Sequence, residues 1–346
     1  MKIKKRRLSA LAVLALTASV ALTACGSDDG GDDGDGGSGG GGGGSSSITM
    51  IPKSLGNPYF EASTAGSQRA AEEFGGSVDE VGPTGDAGPD SQVPFIQTAT
   101  QQGVGALIVS ANDPSALCDS IEQAQDVDIK VVTFDSDTEC RDLFVSQADA
   151  QGIATKQIEL IADQIGGSGD IAILSAAANA TNQNEWIKLM EEDLAANYPD
   201  INLVDTVYGD DDDQKSFDET AALLRANPNL KGIVSPTTVG IAAAARYLST
   251  SEFKGQVALT GLGAPSQMKT FIDDGTVTAF ALWNPDDLGY LAAFAADALA
   301  KGDISGEEGD TFTAGDLGDY TVGADGVVVL GDPYVFDSSN IDEFDF

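Results

Sequence analysis

The chain has 346 residues, no histidine, and 55 acidic against 18 basic residues, for a net charge of −37. So acidic a chain is unsuited to the phosphate backbone of a nucleic acid, and without histidine it lacks the usual general base and the commonest metal ligand. The folded part, about 300 residues, exceeds the usual size of one hydrophobic core, so two domains are expected.

Residues 1–24 read as a targeting segment. Lys2, Lys4, Lys5, Arg6 and Arg7 precede an apolar stretch, 8–21, too short and wrongly flanked for a stable membrane span. The next residues, LTAC, end on Cys25 and resemble a bacterial lipoprotein lipobox. The resemblance implies cleavage before Cys25, lipidation of its sulfur, and a mature chain anchored on the extracytoplasmic face of the cell membrane. An ordinary signal peptide with a chance cysteine is the alternative. Residues 26–47 contain only Gly, Ser and Asp. They cannot bury apolar area and are expected to form a disordered tether. Their period is too irregular for calcium-binding glycine–aspartate repeats, and neither a metal nor a cofactor is expected.

From Ile48 onward short apolar runs alternate with longer amphipathic ones. Strands are expected at 48–51, 77–81, 106–110, 130–134, 171–175, 202–208, 232–235, 257–261 and 277–282. Helices are expected at 58–74, 90–102, 114–126, 150–165, 182–197, 214–226, 238–249, 266–273 and 286–301. Strands rich in Val and Ile, each followed by a helix, indicate βαβ units. The pattern runs twice, with LFVSQADAQG between. The expected fold is α/β, with two doubly wound parallel-sheet lobes joined by a multi-strand hinge. One lobe is assigned 48–147 plus 284–310, the other 148–283 plus 311–346.

Ligands of open α/β sheets bind beyond the carboxyl ends of strands, so the residues just after strands are the candidates. After the first strand come Lys53, Asn57, Tyr59 and Phe60. Asn57 and Pro58 suit a helix cap and first helical position. Helical neighbours point about 100° apart, so one of the two aromatics is expected in the core and the other in the cleft. An aromatic face there suits the C–H face of a sugar. Lys53 offers three donors, or is a solvated surface lysine. After the fourth strand, FDSDTEC brings Asp135 and Asp137, able to accept hydrogen bonds from adjacent hydroxyls, with loop capping the alternative. Asn182 and Gln183 open a later helix, where either serves only as a cap or, through its amide, suits a neutral hydroxylated ligand. Pro236, Thr237 and Thr238 follow another strand, and Trp283 follows a third, either as simple core or, at a crossing between domains, closing over a ligand. The run Asp210–Asp213 reads as helix-dipole and solvation charge rather than a metal site. In an exported chain the pair Cys118 and Cys140 suggests a disulfide, with two buried thiols the alternative.

The stretches IPKSLGNPYF, GVGALIVSANDPSALC, KVVTFDSDTECR, TNQNEWIK, IVSPTTVGIAAAA, GTVTAFALWNP and the terminal NIDEFDF carry a resemblance across nearly the whole mature chain. It is similar to the type I periplasmic solute-binding proteins of ABC importers, within them the rhamnose-binding and autoinducer-2-binding (Lsr-type) branch. The Lsr-type pattern is matched by Lys53, Asp135, Gln183 and Pro236. It departs at Asn182, where the pattern has aspartate, and at Thr238, where it has alanine. GNPYF is closer to the sugar-binding members. The resemblance therefore implies a rhamnose-like neutral monosaccharide rather than autoinducer-2. It also implies a Cys118–Cys140 disulfide, a membrane permease as partner, a monomer, and no catalysis. Three rivals stand beside it. One is a carboxylate-only glycoside hydrolase. A second is a sugar-responsive regulator, disfavoured because a targeting segment occupies the place of its DNA-binding helices. The third is a receptor presenting autoinducer-2 or a sugar to a membrane sensor.

Overall fold

The computed structural model describes residues 46–85, 88–344 and 346. The targeting segment, Cys25 and the tether up to residue 45 lie outside them. In chain order the first half runs β1 (Ser47–Ile51), α1 (Pro58–Phe74), β2 (Ser77–Glu80), α2 (Val93–Gln102), β3 (Ala106–Val109), α3 (Cys118–Gln125), β4 (Lys130–Phe134), β5 (Leu143–Ser146) and α4 (Ala150–Ile165). It continues with β6 (Gly169–Ser175), α5 (Thr181–Asn197), β7 (Ile201–Tyr208), α6 (Asp213–Ala226), β8 (Leu230–Ser235), α7 (Thr238–Thr250), β9 (Ala258–Gly261), α8 (Pro265–Asp273) and β10 (Ala279–Leu282). The last part holds α9 (Pro285–Lys301), β11 (Thr311–Thr313), β12 (Asp319–Thr321), β13 (Val327–Val329) and β14 (Tyr334–Asp337).

Two main sheets carry most of these strands, while β11 and β12 pair antiparallel apart from them. The first has the order β13-β5-β4-β3-β1-β2, all parallel. The second has the parallel order β7-β6-β8-β9. A bridge from Leu262 to Ala281 continues it to β10, on which β14 lies antiparallel. The two lobes thus repeat one strand order. Parallel strands covered on both faces must be apolar throughout, and the ALIV of β3 is buried at every position.

Local signals fix the helix that opens the site. The Asn57 side chain accepts from the Tyr59 N–H at 3.0 Å, Pro58 takes the first helical turn, and Gly75 closes α1 in the left-handed region at φ 75°. The same helix is pressed against α9. A Cβ on Gly66 would lie 1.9 Å from the Asp286 carbonyl oxygen, and one on Gly289 would lie 1.8 Å from that of Ser63. Ser67 Oγ fills the crossing by donating to the Gly289 carbonyl at 2.8 Å. This close approach ties α9 to the first lobe, while α4 packs on α5, β8, β9 and β10 in the second. Each lobe therefore holds a helix whose preceding strand lies in the other. The chain passes between lobes at 147–149, 283–284 and 330–333.

Three expectations need correction. Residues 46 and 47, assigned to the tether, belong to the fold: Ser47 starts β1, and the Ser46 carbonyl accepts from Ser77 N–H at 2.9 Å. LFVS is a strand of the first sheet rather than part of an extended crossing. Residues 311–346 do not all join the second lobe. Strand β13 borders β5, and Tyr290 of α9 accepts from the Asp316 N–H at 3.1 Å, so only the chain beyond about 330 returns to the second sheet. Cys118 and Cys140 are disulfide-bonded, with their Cα atoms 5.5 Å apart.

Candidate functional site

The carboxyl ends of β1 and β4 supply one wall of a cavity. Lys53 follows β1 and Asp135 follows β4. Asp135 turns into the left-handed region, φ 60°, and is 6% exposed. Its carboxylate accepts from Ser110 Oγ at 2.8 Å and from Tyr59 Oη at 3.2 Å, and pairs with Lys53 Nζ at 3.3 Å. Tyr59 Oη also accepts from Trp283 Nε1 at 2.8 Å. Burial, reinforced by the Asp135 charge, raises the Tyr59 phenol well above its usual value, so it stays a neutral donor.

Tyr59 and Phe60 both line the cavity and both are buried, so the expected division of labour does not hold. The first turn of α1 stands at the edge of the sheet, where two directions 100° apart both meet the cleft. Phe60 touches Tyr59 edge-on, with centroids 5.1 Å apart, and reaches Phe134 at 6.2 Å. It serves the cavity wall and the core together.

The second lobe supplies the facing wall. Gln183 fixes its carboxamide oxygen by accepting from Ser175 Oγ at 2.6 Å and from the Ala176 N–H at 2.8 Å, which leaves its NH2 as the end available to a ligand. Asn182 spans the cleft. Its Nδ2 donates to the Asp135 carbonyl at 3.3 Å, and its Oδ1 accepts from Lys53 Nζ at 3.5 Å. Thr237 precedes α7 and commits its hydroxyl to Asp211. Pro236 and Thr238 lie beside it on the wall. Trp283, in the second crossing, sets its ring edge-on to Tyr59 at 6.2 Å and against Trp186 at 6.0 Å.

The cavity left between these walls has a volume of about 40 Å³. Lys53, Asn57, Tyr59, Phe60, Asp135 and Asn182 line it, as do Gln183, Pro236, Thr237, Thr238 and Trp283. Asp137 does not. It turns away to receive Arg141 Nε and Nη2, each at 3.0 Å, and the Thr138 N–H at 2.8 Å. A guanidinium four residues on is a stronger attractor than the cleft.

Four lining residues escape the strand-end reasoning: Trp186, Asp211, Leu262 and Leu282. Trp186 lies four residues after Asn182 on α5, and helical spacing would have found it. Leu262 follows β9 but is apolar, and Leu282 ends β10; neither differs in type from a core residue. Asp211 hides in an acidic run. Among the described residues no group of three or more His, Cys, Asp or Glu could hold a metal ion, and no helix is long and apolar enough to cross a membrane.

Comparison with known proteins agrees with this geometry. Residues 48–304 match the family model described as a periplasmic binding protein domain. A sugar ABC transporter protein of Actinomyces odontolyticus ATCC 17982 is 53% identical, covering 87% of this chain and 98% of its own, with a TM-score of 0.73. An ABC transporter solute-binding protein of Clostridium phytofermentas, solved with bound L-rhamnose, is 40% identical over 87% of this chain and 98% of its own, with a TM-score of 0.83. LsrB of Clostridium saccharobutylicum, in complex with AI-2, is 25% identical over 87% of this chain and 100% of its own, with a TM-score of 0.81. Two lobes of matching strand order, a cavity between their strand ends and a family match across the folded chain lead to one assignment: the protein belongs to the type I periplasmic binding proteins.

Proposed function

We propose that the protein is the lipid-anchored, extracytoplasmic solute-binding component of an ABC importer and captures one neutral monosaccharide of the L-rhamnose type, without catalysis. The observation that carries this reading is the composition of the interlobe cavity. Aromatic rings from Tyr59, Phe60, Trp186 and Trp283 stand with amides and carboxylates from Asn182, Gln183, Asp135 and Asp211. Rings suit the C–H faces of a pyranose, and the polar groups suit its hydroxyls. Leu262 and Leu282 add an apolar patch suited to the methyl group of a 6-deoxyhexose. The solute-binding protein solved with L-rhamnose shares 40% of its residues with this chain. Rotation at the three crossings would close the lobes over the sugar, and the closed form is stabilised only by its higher affinity. Cys25 would tether the receptor to the membrane that holds its permease, as a monomer with a raised local concentration.

The rival ligand is autoinducer-2. Asn182 replaces a carboxylate of the Lsr-type pattern, and here its amide donates to Asp135 O, a bond that an aspartate in the same place would not make. Thermal unfolding with L-rhamnose, D-ribose, D-galactose and autoinducer-2 tests the proposal. A ligand at 100 times its Kd adds about 2.7 kcal/mol. Stabilisation by L-rhamnose alone supports the reading. Stabilisation by autoinducer-2 alone replaces the sugar, and none by any of the four refutes it. Co-purification with a permease rather than a sensor kinase separates transport from signalling.

A further inference from the structure

Of the charged residues lining the cavity, Lys53 and Asp135 are paired at 3.3 Å. Among the described residues the third, Asp211, pairs with no cation; its Oδ1 accepts from the Thr237 hydroxyl. The loop that carries it is held in an uncommon shape. Asp210 and Asp211 both take left-handed backbone, φ 54° and 51°, which side chains other than Gly, Asn and Asp rarely adopt. Gly209 precedes them where a Cβ would meet Ser216 Oγ at 2.0 Å. Asp210 is pinned by Lys215, and Asp212 caps α6 by accepting from the Lys215 N–H at 2.6 Å. With both neighbours held, the Asp211 carboxyl is aimed at the cavity. It also lines two neighbouring cavities that share Lys53 with this one.

We infer that Asp211 restricts the cavity to neutral sugars, accepting a hydroxyl from a neutral ligand and repelling the carboxylate of a sugar acid. This rests on the sugar-binding role proposed above. A carboxylate is an acceptor only, so a hydroxyl satisfies it and a second carboxylate cannot. Discrimination by a repulsive group is the economical route to specificity, because the wrong ligand is penalised without loss of the right one. The remaining charges acting on Asp211 are Lys53, Asp135 and Asp210, two of them negative. The surrounding mass of the lobes pushes its carboxyl up from the ordinary value, chiefly by desolvation. Its surface nevertheless stays open to the cleft. That exposure to solvent limits the desolvation.

The test uses Asp211→Asn, since asparagine tolerates the left-handed backbone and its oxygen still accepts from Thr237. Titration calorimetry at pH 7 compares L-rhamnose with L-rhamnonate, D-galacturonate and D-glucuronate. The parent is expected to bind L-rhamnose and to disfavour each acid by at least 100-fold. The variant is expected to bind L-rhamnose about tenfold more weakly and to narrow its preference over at least one acid tenfold or more. Thr237→Val, which removes the donor but keeps the charge, is expected to retain the preference. An unchanged preference in Asp211→Asn overturns the inference, as does an equal narrowing in Thr237→Val, which would assign the effect to loop position. A parent that binds no neutral sugar fails the functional proposal instead.

Discussion

Replacing Asp135 by asparagine tests the centre of the site with little change of shape. Its backbone sits at φ 60°, which asparagine adopts more readily than most residues. A carboxylate offers about four lone-pair sites. Ser110, Tyr59 and Lys53 occupy three of them, leaving one for a ligand hydroxyl. In Asp135→Asn an NH2 group faces one of these donors whichever way the amide turns. The charge-assisted bond to the ligand is lost, a change of about 1.5–3 kcal/mol, and with tenfold per 1.4 kcal/mol the Kd should rise roughly 10- to 100-fold. Lys53 also loses its counter-ion. Its side chain is 15% exposed and Asn182 Oδ1 remains at 3.5 Å, so the loss stays below the 3–5 kcal/mol typical of a fully buried pair, at about 2 kcal/mol. For about 300 folded residues with an unfolding entropy near 2.1 cal/mol/K each, that lowers Tm by about 3 °C. Both tryptophans of the chain, Trp186 and Trp283, line the cavity. Intrinsic fluorescence therefore reports binding without a label. An unchanged Kd for Asp135→Asn would show that this carboxylate holds the loop and does not touch the sugar.

The crossing of α1 and α9 should be intolerant of any side chain. Gly289→Ala forces a Cβ against the Ser63 carbonyl, which should cost about 3 kcal/mol and lower Tm by about 5 °C, and a silent substitution would mean the helices are not in backbone contact. Cys118 and Cys140 close a loop with a sequence separation of 22, so Cys118→Ser with Cys140→Ser should cost about 3 kcal/mol, read as a lower midpoint of urea unfolding. Tyr59 has a raised phenol pKa in the fold. The stability tied to it is complete below pH of about 10, where the unfolded tyrosine begins to ionise, and is lost as pH rises towards the folded value. Tyr59→Phe should therefore lessen the alkaline fall in stability by up to one proton, about 1.4 kcal/mol per pH unit. It should also lower stability at neutral pH, because Trp283 Nε1 and Asp135 lose a partner. An alkaline limb identical to the parent's would refute the assignment.

The sequence made the helices legible because their ends are chemically marked. Asn57, Asp149 and Asn284 each accept a backbone N–H at the start of α1, α4 and α9, and glycines in left-handed backbone close all three. The short strands β5, β13 and β14 carry no such marks, and their pairing is set by which lobe the crossings return to, a long-range property. Within the site, residue type was readable and aim was not. FDSDTEC offers two aspartates two positions apart, yet Asp135 enters the cavity and Asp137 is taken by Arg141. The difference is backbone handedness at the strand exit: the chain turns left-handed at Asp135 and not at Asp137. Asp211, the other cavity aspartate, is left-handed as well. Handedness alone is insufficient, since Asp128 and Asp325 share it away from the cavity. It selects a site residue only where the turn falls at the carboxyl edge of a sheet facing a second lobe. An aspartate in a strand-end loop is thus a ligand candidate by chemistry. It becomes one in fact only when the topology opens a cleft in front of it and no nearby cation claims it first.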